Sequence, residues 1–476
     1  MIGSEHPPVT ERYTGGMAPP QTAIICLAVG LAVTVGADVV TPSYARIGVM
    51  FLFGAQIWLE QRFARRLFLM SPVFLLALVG LVAFTLLPNA IYAVLHPFHD
   101  HQPGSNSFFG GAYRPEVLAY FGSRGEGWIL AFCAAGLAVH GILALVTSAQ
   151  TAPSISLNPD PRGGKARTAY GLSGVLGLLF LAATQSDFFG TTTTNLMRTG
   201  VAPVQAFLLL FLLHCALDRS RIRLTPVVLL IVFNLTVMVL AHGGKIPVLI
   251  GLAAGLYYIA HTRVSFGALN KAVLAFAVVL VIGMQLIHLV RAPEYYGPRN
   301  EKMAFTQKIG NVFLAKLLWR QAETGYCLSN VFTAHKDDRL ELRNQTFWVE
   351  ILIPRAVWPE KPNFSLGGRY AKVYCGMTNP AFHSASITVL GQPVIHGGAA
   401  ALLLHGAFLL AFLCGAGAVA VWGPGLPRVA VFALLPWWID FDQDFALYMG
   451  NLIKFGTFML PFLLLAMDRT CRRSEN

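Results

Sequence analysis

The sequence predicts an all-α polytopic membrane protein with about 12 transmembrane helices and one long, partly helical outer loop between spans 9 and 10. Of the 476 residues, 55% are hydrophobic and only 12% are charged, whereas soluble domains carry about 25% charged residues. The mean hydropathy is +0.58. The 45 glycines and 27 prolines also suit membrane helices, which tolerate both residue types. This composition excludes a soluble enzyme, a disordered chain and a nucleic-acid-binding domain.

Twelve apolar segments approach the length of about 20 residues that a helix needs to cross a bilayer. They lie at 21–40, 45–59, 69–95, 127–147, 168–187, 201–217, 224–242, 246–260, 272–290, 397–421, 429–449 and 451–467. No small-residue cleavage site follows the polar start of the chain, so no cleavable signal peptide is expected. The chain accordingly divides into spans 1–9 (residues 1–290), a loop (291–396) and spans 10–12 with a tail (397–476).

The distribution of Lys and Arg predicts the orientation of these spans. Sixteen of the 35 cations lie in alternate segments that include the C-terminal tail, six lie in the short segments opposite, and thirteen lie in the long loop 291–396. Long loops do not count in this rule, so the excess of sixteen over six predicts that both termini are cytoplasmic and the loop is outside. We therefore attribute the net charge of +12 to the Lys and Arg that orient a membrane protein, and not to nucleic-acid binding.

Polar residues within the spans collect toward the predicted outer ends, and an ionisable residue in a span suggests a functional site. The residues are Asp38, Asp187, His242, Gln285, His288, Asp440, Asp442 and Asp444. Lys245 and Arg291 lie just beyond helix ends. This bias predicts a polar cavity open to the outer leaflet, with snorkelling of single side chains as the alternative. His140 and His214 lie in inner halves, and we interpret each as a neutral histidine hydrogen-bonded to a neighbouring helix.

The outer loop holds thirteen cations and eight acids and is too apolar for a free linker. A helix is predicted over 303–332, where Lys316, Arg320 and Glu323 fall on one side. An Arg320–Glu323 ion pair on a solvated face is the alternative interpretation of those two residues.

Two cysteines, Cys327 and Cys375, share this loop. They can pair in an oxidising compartment, or they can remain two free thiols. The sequence leaves both alternatives open.

A proline-rich block follows in the same loop. Residues 353–362 are IPRAVWPEKP, and three prolines exclude a helix and impose an extended course. Such a segment holds Arg355 and Lys361 at defined positions. Cations held near an outer-leaflet cavity suit a lipid-linked phosphate or diphosphate, since Arg offers a bidentate fork and Lys a point charge.

Common catalytic motifs do not occur in this chain. It has no GxxxxGK[ST], HExxH or GxSxG sequence, so it shows no nucleotide-binding, zinc-protease or serine-hydrolase signature. Residues 440–444, DFDQD, begin like a calcium loop, but Phe445 stands where that loop needs glycine. A polar lining of the cavity is the favoured interpretation, and no metal or cofactor is expected.

These features resemble the Wzy-type O-antigen or oligosaccharide repeat-unit polymerases. The block LIPRAVWPEKP at 352–362 is similar to the PR-x-x-W-P-x-K-P segment of that family's large periplasmic loop. GGK at 243–245 opens the eighth span where the family often has a Gly/Ser-Arg turn, and HLVR at 288–291 also fits. SASITVLGQ at 384–392 resembles a stretch that precedes a Gly-Glu pair, but Gln392 stands in place of Glu, so no acid role is assigned there.

The resemblance implies a glycosyltransferase of surface polysaccharide assembly, exopolysaccharide or lipopolysaccharide, in the bacterial inner membrane. It would transfer a growing glycan from polyprenyl (undecaprenyl) diphosphate to a lipid-linked oligosaccharide repeat unit at the periplasmic face. A chain-length-regulating membrane protein is a partner that the family implies, alongside the lipid bilayer.

The residues expected to carry this reaction are cations and one base. The diphosphates would be held by Lys245, Arg291, Arg320, Arg355 and Lys361. The acceptor hydroxyl needs a base within hydrogen-bond reach, for which Glu323, His383 and His396 are the candidates.

Three other functions remain open. An O-antigen-ligase-like transferase would use the same chemistry on a different acceptor. A transporter of lipid-linked saccharide or polysaccharide usually has two related halves, which this sequence lacks. A membrane acyltransferase with a cytoplasmic donor would need His140 or His214 as its reactive histidine.

Overall fold

A computed structural model describes seventeen stretches of the chain. They are residues 46–52, 54–55, 71–86, 89, 123–148, 164–185, 201–217, 223–242, 245–261, 320–334, 340, 347–350, 353, 358–360, 366–376, 385–422 and 425–466. Within these residues the chain forms helices and their connections, with no strand. The prediction of an all-helical chain is therefore confirmed for the described part.

Most of the predicted spans that are described are helices. The bounds are α1 Pro72–Leu81, α2 Arg124–Ser148, α3 Gly164–Gln185, α4 Ala202–Leu217, α5 Leu224–His242, α6 Lys245–His261, α7 Arg320–Thr333, α8 Phe347–Glu350, α9 Gly367–Val373, α10 Thr388–Trp422, α11 Gly425–Ala433, α12 Leu435–Trp438 and α13 Phe445–Ala466. A π-helical segment, Val82–Leu86, continues α1. Predicted spans 3 to 8 correspond to α1 to α6, whereas spans 1 and 9 lie outside the described residues.

Two of the described helices are long and apolar enough to cross a membrane, Thr388–Ala420 and Phe445–Ala466. Length and composition alone make this weak support for a membrane protein. Four shorter apolar helices within the described residues lie at Pro72–Leu86, Ala202–Leu217, Leu224–Val239 and Ile246–Tyr258. The count of twelve spans and their orientation stay predictions.

Helix α4 lies at the centre of one group of helices. Its residues 202–215 are buried on every side, which is typical of a helix that is apolar all round. It packs against α3, α5, α6, α11 and α13. A second group comprises α1, α2 and α10, and the loop helix α7 packs against α2, α10 and the π-helical segment. The described part of the predicted outer loop is thus joined to the helical core.

Helix α10 contains a sharp bend at two glycines. Gly397 and Gly398 have non-helical backbone angles, and Gly398 has a φ of 67°, a conformation that glycine adopts without steric cost. The bend divides α10 into residues 388–396 and 399–422. The second part corresponds to span 10, predicted at 397–421. The first part lies in the outer loop, which was predicted to be partly helical, and it is helical.

The predicted bounds of spans 11 and 12 are wrong. The segment 429–449 is not one helix, because the chain leaves helical geometry after Trp438 and resumes it at Phe445. Helix α13 then runs through residue 450, where the two spans were predicted to separate. Asp440, Asp442 and Asp444 accordingly lie in a connection between helices instead of inside a span.

Candidate functional site

Polar side chains from four separate segments meet around the connection 439–444. We call this group the polar junction. It comprises Thr324, Tyr370, Ser386, Gln392, Asp440, Asp442, Gln443 and Asp444. Asp440, Asp444 and Gln392 are buried, whereas Asp442 and Gln443 are partly exposed.

Asp444 and Gln392 together define the start of α13. The Oδ1 atom of Asp444 accepts a hydrogen bond from the backbone N–H of Leu447 at 3.0 Å, which is N-cap geometry. The Oε1 atom of Gln392 accepts the N–H of Ala446 at 2.8 Å. Two of the backbone donors that every helix start leaves unpaired are therefore satisfied by side chains from different parts of the chain.

Asp442 connects the junction to the predicted outer loop. The hydroxyl of Thr324, on α7, donates to Asp442 Oδ1 at 3.4 Å. The hydroxyl of Ser386 donates to the backbone carbonyl of Asp442. Segments that are 118 and 56 residues from Asp442 in sequence thus meet at this one residue.

Gln443 extends the polar contacts along the start of α13. Its Nε2 atom donates to Asp440 Oδ2 at 2.5 Å, and its Oε1 atom accepts from Asn451 Nδ2 at 2.9 Å. The side chains of the connection are therefore held in place by one another.

A disulfide joins α7 to the segment that carries Tyr370. Cys327 on α7 is bonded to Cys375, just after α9, so pairing is the alternative that the structure contains. Asn330 Nδ2 donates to the carbonyl of Tyr374 at 2.7 Å, which adds a second connection between the two helices. Disulfides persist in oxidising compartments, in agreement with the predicted outer location.

Burial dominates the electrostatics of the junction. It raises the pKa of Asp444, which precedes α13, to about 7, partly offset by the hydrogen bond from the Leu447 N–H. Burial also raises the pKa of Tyr370 well above its ordinary value, and the nearby charge of Asp444 raises it further. A carboxylate with a pKa near neutrality can exchange a proton at physiological pH.

A partly buried ion pair lies beside α7, at the start of α2. Arg46 Nε is 2.8 Å from Glu126 Oε1, and Arg46 Nη2 donates to Glu126 Oε2 at 3.1 Å. Asn89 Nδ2 also donates to Glu126 Oε1 at 3.1 Å. Glu126 is 0% exposed, and such a burial needs this degree of pairing.

Helix α7 packs closely against the same end of α2. A Cβ atom on Gly125 would lie 2.7 Å from the backbone nitrogen of Ser329, so only glycine permits this approach. The rings of Trp128 and Phe332 stack with their centroids 5.3 Å apart. Ends of α2 and α7 that were both predicted to be outside thus lie together.

The structure bears on few of the predicted site residues. Arg320 and Glu323 belong to the first turns of α7, where Glu323 directly precedes Thr324, and Lys245 begins α6. The roles predicted for these three side chains fall outside what is described. His396 is partly buried and lies immediately before the bend of α10. Arg291, Arg355, Lys361 and His383 lie outside the described residues.

Three residues of the junction, Thr324, Tyr370 and Ser386, and the capping role of Gln392 were not predicted from the sequence. No periodicity marks them, since their partners are remote in sequence. For Asp444 the sequence does hold a signal, since an aspartate directly before a long apolar run is an N-cap pattern.

One of the two inner histidines fits its interpretation. The hydroxyl of Tyr257 on α6 lies 2.8 Å from His214 Nδ1 on α4, which is a hydrogen bond to a neighbouring helix. His140 is 0% exposed, and its ring lies 5.0 Å from that of Phe74.

Within the described residues no three His, Cys, Asp or Glu side chains come close enough to hold a metal ion.

The chain matches no protein-family model, no curated protein and no solved structure.

Proposed function

We propose that this protein is a polysaccharide polymerase of the bacterial inner membrane. It transfers a growing glycan from polyprenyl diphosphate to a lipid-linked oligosaccharide repeat unit at the periplasmic face. The proposal rests on the block 352–362 and on the apolar, helical character of the chain. It includes the predicted topology, with both termini cytoplasmic.

The packing of the predicted outer loop is the observation that carries the proposal furthest. Helix α7 contacts core helices, its Thr324 reaches Asp442, and its Cys327 is bonded to Cys375. The first turns of α7, with Arg320 and Glu323, therefore belong to a fixed element beside polar groups. An enzyme that handles a charged lipid headgroup at a membrane face needs cations on such an element.

The chemistry asks for charge stabilisation and one base. The acceptor hydroxyl oxygen forms a bond to the anomeric carbon of the donor glycan, and the bond from that carbon to the diphosphate oxygen breaks. Polyprenyl diphosphate leaves with the electron pair, so cations stabilise the developing negative charge. Lys245, Arg291, Arg320, Arg355 and Lys361 are the proposed cations, and Glu323, His383 and His396 are the proposed sources of the base.

A deletion strain complemented with variants tests the proposal. Single repeat units on the lipid carrier should accumulate in the deletion strain, and wild-type protein should restore long chains. Arg355→Ala and Arg355→Lys should both fail to restore them, because Lys does not reproduce a bidentate contact. The matched control is Arg369→Ala, which removes an exposed arginine of α9 and should restore long chains.

The same gels separate the alternatives. Long chains that persist on the carrier in the deletion strain would indicate a ligase. Unchanged glycans would argue against both transferases and favour transport. Full activity of Arg355→Lys would contradict the bidentate role.

A further inference from the structure

The hydroxyl of Tyr370 differs from those of the other deeply buried tyrosines. Four tyrosines of the described residues are no more than 2% exposed, namely Tyr257, Tyr370, Tyr374 and Tyr448. Three of the hydroxyls are hydrogen-bonded to other residues. The Tyr257 hydroxyl bonds to His214, and the Tyr374 hydroxyl accepts the N–H of Leu340. The Tyr448 hydroxyl donates to the carbonyl of Trp438. The Tyr370 hydroxyl has no hydrogen-bond partner among the described residues. A buried polar group of this kind needs an explanation.

Hydrogen bonds bring the helix that carries Tyr370 and the connection that carries Asp444 together through one segment: the Ala385 N–H donates to the Gly367 carbonyl at 3.0 Å, and the Ser386 hydroxyl donates to the Asp442 carbonyl. The charge of Asp444 also raises the pKa of Tyr370, after the larger effect of burial. Asp444 is 5% exposed and uses its Oδ1 atom to cap α13. Its Oδ2 atom therefore remains to accept a hydrogen bond from a ligand.

The segment 385–388, which contacts Asp442 through Ser386, ends in a residue with strained backbone. The N–H of Ala385 donates to the carbonyl of Gly367 at 3.0 Å, which connects the segment 385–388 to the start of the helix that carries Tyr370. Thr388, at the end of that segment, has a φ of 60°, a left-handed conformation that is costly for a β-branched residue. Strain of this kind concentrates at binding and catalytic sites.

We propose that Tyr370 and Asp444 bind the acceptor hydroxyl of the incoming repeat unit, with Tyr370 donating a hydrogen bond to its oxygen and Asp444 accepting its proton. The inference rests on the proposed function, and it gives the role of base to Asp444 instead of Glu323, His383 or His396. The proton moves to Asp444 Oδ2 as the acceptor oxygen bonds to the anomeric carbon and polyprenyl diphosphate leaves.

The acceptor reaches this pair from the exposed side of the connection. Asp442 and Gln443 precede Asp444 in the chain and are partly exposed, so they form the outer edge of the site. Tyr370 is 0% exposed, and the acceptor therefore has to open the junction as it binds.

Three variants test the inference in purified protein. The probe is the lipid-linked single repeat unit extracted from the deletion strain, and the readouts are the elongation rate and the midpoint of thermal unfolding. Tyr370→Phe should lower kcat/KM by ~10-fold, the effect of one lost hydrogen bond, without lowering the midpoint. The matched control Tyr374→Phe removes the acceptor of the Leu340 N–H, so it should lower the midpoint and keep the elongation rate of folded protein.

The third variant separates the base from the helix cap. Asp444→Asn keeps an oxygen that caps α13, since Asn is a good N-cap, but it cannot accept the proton. It should lower kcat by ~10²- to 10⁴-fold in folded protein.

The outcomes distinguish this inference from the proposed function. If the wild type elongates chains and Tyr370→Phe and Asp444→Asn elongate them equally fast, the inference fails and the proposed function stands. If Tyr370→Phe loses activity only in proportion to a lowered midpoint, its role is structural and the inference fails. If the wild type elongates nothing, both fail.

Discussion

Gln392 and Ala446 connect the first turns of two helices that are long and apolar enough to cross a membrane. The Gln392 side chain accepts the Ala446 N–H at 2.8 Å, and the two residues are 1% and 0% exposed. Helices α10 and α13 therefore start at the same end, and the chain between them returns through α11 and α12.

Replacing Gln392 tests whether this contact holds the two helices together. Gln392→Ala leaves the Ala446 N–H buried without its acceptor, so we expect a loss of about 1–3 kcal/mol in stability. Thermal unfolding in detergent measures the loss. The control is Thr457→Ala, since Thr457 is exposed on α13 and bonds only within its own helix. Equal midpoints for the two variants would contradict the capping role.

The Cys327–Cys375 disulfide should stabilise the loop. It closes a loop across 48 residues, and constraint of the unfolded chain predicts a loss of about 2–4 kcal/mol when it is removed. Cys327→Ser and Cys375→Ser should each lower the unfolding midpoint. The control Cys414→Ser alters a free cysteine and should not. A wild-type midpoint that is unaffected by a reductant shown to break the bond would count against this prediction.

Gly125 should tolerate no larger residue. Gly125→Ala would bring a methyl group 2.7 Å from the Ser329 nitrogen, which forces α2 and α7 apart at a cost of about 1–3 kcal/mol. Gly171→Ala is the control, because nothing lies within 4 Å of a Cβ there and alanine favours a helix. Similar unfolding midpoints for both variants would show that the helices are not in close contact.

Stability should fall as the pH rises, because of Asp444. Its folded pKa is about 7, against an ordinary value of 3.8. The folded protein keeps a proton that the unfolded chain loses, so this contribution is fully present below pH 3.8 and is lost as the pH rises through 7. Unfolding midpoints of the wild type and Asp444→Asn between pH 4 and 8 measure it. The wild type should lose stability relative to the variant across that window, and a constant difference would contradict the prediction.

The sequence predicted helices where one physical signal dominates. Continuous apolar runs, such as the one that became α5, need nothing beyond length to be recognised. The predicted bounds of spans 11 and 12 are wrong because two signals conflict there. Around Asp440 and Asp444, apolar neighbours such as Ile439 and Phe441 continue the apolar run. The helix is nevertheless interrupted there by the carboxylates and the N-cap.

The candidate site was less accessible to sequence reasoning. The proline-rich block drew attention to Arg355 and Lys361, and the sequence placed Asp440, Asp442 and Asp444 toward one end of the spans. The contacts of Asp442 with Thr324 and Ser386 depend on tertiary packing across 118 and 56 residues. Local pattern carries no information about such contacts. That the Tyr370 hydroxyl lacks a hydrogen-bond partner among the described residues is evident only from the folded structure.

Reconstitution of the purified wild-type protein shows directly whether it polymerises lipid-linked repeat units. The protein would be placed in liposomes with lipid-linked single repeat units from the deletion strain, and the glycans would be separated by size. We expect chains of many units on the lipid carrier, with one polyprenyl diphosphate released for each unit added. Single units that persist unchanged beside properly folded protein would contradict it.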